Sequence, residues 1–223
     1  MKKAILGTFL LFFCMLFADR MQPTGSGTPS DPYLVGSIGN LLWISTHDDS
    51  WDSYFEQISN INASDTQNWN YGEGFSPIGI EEHNSFTGVY NGGNHIIENL
   101  YINRPNSMYI GLFGRCDEAE ITCLGLTNAN IIGESYTGGL IGSGSEMEVT
   151  DCFVEGTIYS SYGIDGSVGG LIGSCYLSEI SNCYTTCDIA AESSGSYYMG
   201  GLIGKIYEVC VVSNCFSDCD VTG

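Results

Sequence analysis

A short glycine-rich core that recurs at nearly constant spacing constrains the fold of this chain more than any other feature. "GLFG" begins at Gly111 and "GLIG" begins at Gly139, Gly170 and Gly201, so the steps are 28, 31 and 31 residues. An internal array with a period of this length is typical of stacked supersecondary units that share one continuous core. The sequence therefore predicts a repeat architecture.

Each glycine core is followed, at a similar distance, by a second repeated segment. Its copies read "EITCLGLTNANI" from Glu120, "EVTDCFVEGTI" from Glu148, "EISNCYTTCDI" from Glu179 and "VVSNCFSDCDV" from Val211. Alternation with period two indicates strands with one inward face, and the glycines, aromatic and β-branched residues disfavour helix. The predicted inward positions are Cys152, Val154, Gly156 and Ile158, then Cys183, Thr185, Cys187 and Ile189, then Cys215, Ser217, Cys219 and Val221.

Strands that recur without hairpin dipeptides between copies favour an all-β fold, a parallel β-solenoid and not a meander. Successive coils of such a solenoid lie about 4.8 Å apart, so that like residues stack on like. Glycine in the repeated core then allows a tight corner or a close backbone approach. A phosphate-binding glycine loop would need a following helix and usually a lysine, which these segments lack.

The repeats and the segments upstream of them resemble the GLUG-motif family. This family is named for its Gly-Leu-any-Gly core and occurs in bacterial surface and secreted proteins, including regions attached to immunoglobulin-A proteases. The resemblance covers the chain from about Gly25 to its end and includes "GSGTPSDPYLV", "FTGVYNGGNHIIENLYI" and "YIGLFG". It implies a right-handed parallel β-helix, typically in adhesins or carbohydrate-associated surface proteins, with no catalytic residues in the motif. The chain departs from the pattern in its cysteine content and at Ile110, which replaces the first glycine of the pair.

The first residues are typical of a secretory signal peptide. Lys2 and Lys3 precede an apolar run, and Ala18 offers a small residue for cleavage. We therefore divide the chain into a signal peptide at 1–18, a linker at 19–26, an N-terminal cap segment of the solenoid at 27–108 and four GLUG-type repeats at 109–223.

One short helix is predicted in the cap segment, where Ile38, Leu41, Leu42 and Ser45 have helical spacing. A solenoid needs such a cap to cover an open edge. At the other end we expect further repeats beyond Gly223, and end-to-end self-association or fraying of the chain when it is produced alone.

The charge of the chain narrows the choice of partners. Cleavage removes two of the six basic residues and none of the 26 acidic ones, which leaves a formal charge of −22. Such a chain repels nucleic acid and anionic membrane surfaces. No second apolar span follows the signal peptide, so the predicted location is extracellular or at the cell surface, without a membrane span.

Nine cysteines remain after cleavage, and three interpretations of them stay open. Cys183, Cys187, Cys215 and Cys219 suggest a zinc site, but residues four apart on a strand lie about 13 Å apart, too far to share one metal ion. Disulfides between stacked coils are possible by distance, but stacked side chains point the same way. We favour an inward ladder of free thiols that act as small hydrophobic groups, with no metal and no cofactor.

The aromatic residues Phe153, Tyr184 and Phe216 each follow a ladder cysteine, so they are predicted to point outward in a stack. This stripe is the candidate binding site, because aromatic rings pack against the apolar faces of sugars, although it is also compatible with ordinary sheet surface. In the preceding column, Asp151 and two asparagines predict stacked turns whose side-chain amides bond between coils.

No catalytic residues are predicted. His47, His83 and His95 are scattered in the cap segment, and no metalloprotease motif is present. Asp188 and Asp220 stack one coil apart and approach the spacing of glycosidase carboxylates, yet they occupy repeat positions.

These features favour a non-enzymatic, secreted or surface-displayed β-solenoid that presents a repetitive face for adhesion or for binding an extracellular glycan or a surface protein. The alternative is the solenoid portion of a larger polysaccharide-acting or peptidase protein whose chemistry lies elsewhere.

Overall fold

The computed structural model describes residues 19–80, 84–161, 166–192 and 197–223, and the predicted signal peptide lies outside these residues. The described chain forms a β-solenoid of about five turns, built from parallel strands and containing one short α-helix. The predicted all-β solenoid is therefore confirmed.

The helical elements of the described residues are α1 (Ile38–Ser45) and short 3-10 turns at Asp48–Ser50, Ser64–Asn68 and Asn70–Gly72. In chain order the strands of the described residues are β1 (Tyr33–Val35), β2 (Tyr54–Gln57), β3 (Ile61–Asn62), β4 (Val89–Glu98), β5 (Tyr101–Asn103), β6 (Met108–Ile110), β7 (Phe113–Asp117), β8 (Glu120–Gly133), β9 (Ser135–Gly138), β10 (Ile141–Ser145), β11 (Glu148–Thr150), β12 (Phe153–Ser160), β13 (Gly166–Gly169), β14 (Ile172–Tyr176), β15 (Glu179–Ser181), β16 (Tyr184–Ala191), β17 (Tyr197–Gly200), β18 (Ile203–Ile206), β19 (Val211–Ser213), β20 (Phe216–Ser217) and β21 (Asp220–Thr222).

The strands form three parallel sheets that run along the solenoid. The largest has the order β1-β2-β4-β8-β11-β15-β19, with β3, β5, β12, β16, β20 and β21 paired beside this path. The other two have the orders β18-β14-β10-β7 and β17-β13-β9-β6. One coil therefore consists of β13, β14, β15 and β16, and each coil repeats this path one strand further along the three sheets.

The register places equivalent repeat residues directly over one another. Ile158 of β12 pairs with Ile131 of β8 and with Ile189 of β16, and Ile189 pairs in turn with Val221 of β21. The three isoleucines are buried, and the leucines of the glycine cores at 112, 140 and 171 are fully buried beside them. Like side chains therefore fill the same core position in successive coils.

The glycine that precedes each "GLIG" makes a corner too tight for a side chain. A Cβ atom at Gly138 would lie 2.2 Å from the carbonyl oxygen of Ile141, and a Cβ at Gly169 would lie 2.2 Å from that of Ile172. Neither glycine has a positive φ. Glycine is required there for space and not for a left-handed backbone, which confirms the predicted tight corner.

The inward cysteines lie in the core as predicted. Cys152, Cys183 and Cys187 are buried, and Thr185 between the last two is fully buried. Cys215 and Cys219 occupy the equivalent positions of the last described coil and are partly exposed. Val211, Phe216 and Val221 of the same coil are exposed as well.

The predicted short helix is present as α1 and follows β1, the end strand of the largest sheet. It begins after Ser37, whose hydroxyl oxygen accepts a hydrogen bond from the backbone N–H of Asn40 at 3.2 Å. The indole N–H of Trp51 donates to the carbonyl oxygen of Ile44 at 2.7 Å and fixes the helix to the next segment. In the stretch 19–26, Thr24 accepts a 2.7 Å backbone hydrogen bond from Leu34, so this stretch is tied to the first strand.

Among the helices of the described residues, none has the length and apolar character that crossing a membrane requires.

Candidate functional site

The predicted aromatic stripe, Phe153, Tyr184 and Phe216, lies on the outer face of the largest sheet. The three residues are in register on β12, β16 and β20. The ring centroids of Phe153 and Tyr184 are 4.8 Å apart with planes 2° from parallel, and those of Tyr184 and Phe216 are 5.2 Å apart at 4°. The outward stack is therefore present as the sequence predicts.

The ring faces in this stripe are turned toward one another. Parallel rings with centroids about 5 Å apart overlap face to face, because rings lying side by side in one plane need more room. At the upstream end, the Phe153 ring covers Gly125, where a Cβ atom would lie 2.3 Å from Cζ of Phe153. The stripe thus presents ring edges and the outer face of Phe216, which is 61% exposed. Its role in binding stays a prediction.

A second surface lies on the two four-stranded sheets, where an open cleft of about 320 Å³ is lined by aromatic and hydroxyl groups. We call it the tyrosine cleft. Its volume falls in the range of small-ligand sites, about 300 to 1,000 Å³. Its lining includes Tyr109, Tyr136, Tyr176, Tyr207, Arg115, Asp117, Ser143, Ser145 and Ser174.

The strand register brings these side chains together from separate repeats. Ser143 of β10 pairs with Arg115 of β7 and with Ser174 of β14, and Ser174 pairs with Lys205 of β18. The residues that pair from strand to strand across the coils form a row. A second row on the same face lies two residues further along each strand and begins with Asp117. That row continues through Ser145 and Tyr176. Neither row therefore keeps one residue type from coil to coil, unlike the three stacked isoleucines of the core.

Two cations lie against the tyrosines of the cleft. The guanidinium carbon of Arg115 is 4.8 Å from the ring centroid of Tyr109, and that ring stacks on Tyr136 at 5.1 Å and 6°. Nζ of Lys205 is 4.3 Å from the ring centroid of Tyr207. Both distances are those of cation–π contacts. Arg115 and Asp117 are thus the charged residues of the lining, and Lys205 lies beside the cleft, between Tyr207 and Tyr198.

The backbone of the cleft tyrosines is unusual. Tyr109 has φ 62° and Tyr136 has φ 52°, both in the left-handed region that bulky side chains seldom occupy. Fourteen non-glycine residues of the described chain have a positive φ, so this backbone conformation belongs to the path of the coil and does not by itself mark a site. The corner geometry of the coils thus turns two aromatic side chains onto the same outer surface.

The floor of the cleft supplies hydrogen-bonding groups. The Ser174 hydroxyl donates to the Ser143 hydroxyl oxygen at 2.9 Å, which leaves the Ser143 hydroxyl hydrogen for another acceptor. Tyr176 and Tyr207 are 39% and 48% exposed, so both rings are accessible from solvent. The arrangement can hold a ligand that combines an apolar ring face with hydroxyl groups.

The cysteines carry no metal site in the described parts of the chain, where no group of three or more His, Cys, Asp or Glu side chains could hold an ion. The structure contains no disulfide among the nine cysteines of these parts. In the ladder, the thiol of Cys183 donates to the carbonyl oxygen of Ser181 at 3.1 Å, and that of Cys152 donates to Thr150 at 3.3 Å. Burial raises the pKa of Cys187 to about 12, so this thiol stays protonated.

The column before the cysteines forms the stacked turns that the sequence predicts. Asp151, Asn182 and Asn214 have φ between 53° and 55°. The side-chain amide of Asn214 donates to Oδ1 of Asn182 at 3.2 Å. Asparagine and aspartate tolerate a left-handed backbone, and the side-chain hydrogen bond between Asn214 and Asn182 links neighbouring coils. The column of Asp151, Asn182 and Asn214 is therefore structural.

The histidines and the aspartate pair considered as catalytic candidates are the remaining residues to place in the structure. The ring of His47 stacks on Trp43 with centroids 4.4 Å apart and donates from Nδ1 to the Trp43 carbonyl oxygen at 2.8 Å. His95 contacts Oδ1 of Asn60, and His83 lies outside the described residues. Asp188 and Asp220 are paired on neighbouring strands, as predicted from the repeat.

Sequence reasoning missed the tyrosine cleft. The signal that could have found it is a tyrosine shortly before the glycine core: Tyr109 lies two residues before Gly111 in "YIGLFG", and Tyr136 lies three residues before Gly139 in "YTGGLIG". The other lining residues differ between repeats, so a search for recurring residue types passes over them.

No family model matches the chain, and comparison with known proteins finds similarity to a protein sequence and to a solved structure. The chain is 34% identical over 146 residues to Halomucin of Haloquadratum walsbyi (strain DSM 16790 / HBSQ001). The match takes in 65% of this chain and 2% of Halomucin, so the chain corresponds to a small part of that protein. A crystal structure of a "putative immunoglobulin A1 protease" from Bacteroides ovatus is 16% identical with a TM-score of 0.44, over 89% of this chain and 79% of that one.

Proposed function

We propose that this chain is part of a secreted or surface-displayed β-solenoid of the GLUG type that binds extracellular glycans through the tyrosine cleft. The predicted signal peptide and the similarity to Halomucin support an extracellular or surface location. The proposal includes no catalytic step.

The tyrosine cleft is the observation that carries this proposal. Sugars present apolar C–H faces together with hydroxyl groups, and their sites combine aromatic rings with a few placed polar groups. The cleft provides exposed rings at Tyr176 and Tyr207 above the hydroxyls of Ser143 and Ser174. The aromatic stripe offers mostly ring edges, so we place the primary site in the cleft.

Removing two exposed rings from the cleft should weaken glycan binding at least about tenfold, which corresponds to about 1.4 kcal/mol. The variant is Tyr176→Ala with Tyr207→Ala, and the matched control removes two outward rings of the stripe, Tyr184→Ala with Phe216→Ala. A glycan array identifies the ligand, and calorimetry then compares the Kd of the three proteins. Both variants should keep the melting temperature within a few degrees, because these side chains lie outside the core.

The reverse pattern would assign the site to the stripe: binding lost in the stripe variant and kept in the cleft variant. Absence of any glycan ligand for the unmodified chain on the array would count against the proposed function as a whole.

A further inference from the structure

We infer that Cys175 and Cys210 form a disulfide in the secreted protein. Their Sγ atoms are 3.0 Å apart, inside the ordinary contact distance of two non-bonded sulfur atoms. Cys175 lies at the end region of β14 and Cys210 in the segment between β18 and β19, so the bond would join one coil to the next.

The direction of the two side chains distinguishes this pair from the cysteine ladder. Ladder cysteines such as Cys183 and Cys215 occupy the same position in successive coils, and their side chains point the same way. Cys175 belongs to the row of Cys116 and Gly144. Cys210 directly precedes Val211, which pairs with Glu179, and therefore belongs to the row of Ser178. The two thiols come from different rows.

These two rows face each other across one corner inside the solenoid. One coil earlier, Met147 fills the space over Gly144, where a Cβ atom would lie 2.0 Å from Sδ of Met147. Met147 and Ser178 hold equivalent positions next to the paired residues Glu148 and Glu179. Side chains of the second row thus reach across the corner toward the first. Met147 does so within its own coil, whereas Cys210 reaches Cys175 from the following coil, where the residues that meet are both thiols.

The bond forms by thiol–disulfide exchange with a disulfide donor of the oxidising compartment, such as a thiol oxidoreductase or oxidised glutathione. The thiolate of Cys210, the more exposed of the two residues, attacks the donor and releases one donor thiol, which takes up the proton that Cys210 lost. Sγ of Cys175 then attacks Sγ of Cys210 and releases the second donor thiol, which takes the proton of Cys175. Two protein thiols are oxidised and one donor disulfide is reduced.

Burial supports this order of events. Cys175 is 1% exposed, and desolvation followed by its contact with the Cys210 thiol raises its pKa to about 12. A protonated, inaccessible thiol is a poor first nucleophile toward an external disulfide. It can still react with a mixed disulfide held against it at Cys210.

The disulfide would also fix one wall of the tyrosine cleft. Cys175 lines the cleft, and Tyr207 lies three residues before Cys210 in the connected segment. The backbone N–H of Tyr207 already donates to the Cys175 carbonyl oxygen at 3.0 Å. A consequence for ligand binding rests on the proposed glycan binding, whereas the bond itself rests only on the proposed export to an oxidising compartment.

Peptide mapping of the whole chain, exported to an oxidising compartment and alkylated under denaturing conditions without reductant, tests the inference. We expect a linked peptide that contains Cys175 and Cys210, with Cys116, Cys152, Cys183 and Cys187 alkylated. Reduction should lower Tm by about 5 °C or more, because the bond closes a long loop. In Cys210→Ser the same reductant should leave Tm unchanged.

Cys116→Ser is the matched control, since Cys116 is buried in the same row as Cys175 and should keep both the linked peptide and the response of Tm to reductant. Alkylation of both Cys175 and Cys210 after incubation with oxidised glutathione would overturn the inference, as would a linkage of either one to another cysteine. Neither result depends on whether a glycan binds.

Discussion

Replacing Cys183 with aspartate is expected to lower the free energy of unfolding by more than about 3 kcal/mol. Cys183 is 1% exposed, and its thiol contacts the backbone carbonyl oxygens of Val149 and Ser181. A carboxylate at this place would be buried without a cation and would face carbonyl oxygens that repel it. Denaturant titration of the variant and of the unmodified chain measures the difference.

The pH dependence of this variant follows from the same burial. Desolvation would raise the pKa of the new carboxyl group in the folded protein above its value in the unfolded chain. The folded state would then bind more protons than the unfolded state between these two pKa values, so stability falls as the pH rises through that window. The loss should be smaller at pH 4 than at pH 8.

Asn182→Asp is the matched control for Cys183→Asp. It adds the same charge one residue away, at an exposed left-handed position whose equivalent in the preceding coil is Asp151. Its cost should stay below about 1 kcal/mol, because a carboxylate oxygen at this position can still accept the hydrogen bond from the side-chain amide of Asn214. Equal costs for the two variants would show that Cys183 does not point into a dry core.

The parts of this fold that could be predicted from sequence are those in which like residues stack on like. The recurring "GLIG" and the Cys-x-Thr-x-Cys-x-Ile alternation at 183–189 fix both the coil period and the inward face, and the buried row of Ile131, Ile158 and Ile189 follows from them. The helix at Ile38–Ser45 was predictable from its spacing alone. In the stacked rows, one residue type repeats at one structural position, whereas the helix follows from its own periodicity.

The features that escaped prediction depend on rows of unlike residues or on contacts between rows. Arg115, Ser143 and Ser174 share one row but are not one residue type, so this row of the cleft gives only a weak repeat signal. The approach of Cys175 to Cys210 joins two rows across a corner, whereas the stacking of coils relates only residues of the same row. Both features require the three-dimensional path of the coil.

The glycine corners provide a direct test of the coil path itself. Gly169 ends β13, and a Cβ atom there would lie 2.2 Å from the carbonyl oxygen of Ile172 and 2.6 Å from the backbone nitrogen of Gly204 in the next coil. Both obstacles are backbone atoms, which cannot rotate away as the end of a side chain can. Gly36 differs, because the nearest atoms to a Cβ at that position are the terminal carbons of the Ile58 side chain at 3.3 Å.

Replacing Gly169 with alanine should therefore cost at least about 3 kcal/mol, whereas Gly36→Ala should change the free energy of unfolding by less than about 1 kcal/mol. In Gly169→Ala the added methyl group pushes the corner of one coil away from the next, so hydrogen-exchange protection should fall in both Gly166–Gly169 and Ile203–Ile206. Protection in Tyr54–Gln57, several coils away, should change less, because each coil of a solenoid contacts mainly its neighbours. Denaturant titration and exchange mass spectrometry measure these effects. If Gly169→Ala leaves both the free energy of unfolding and the exchange rates unchanged, the corner formed with Ile172 and Gly204 has room for a methyl group.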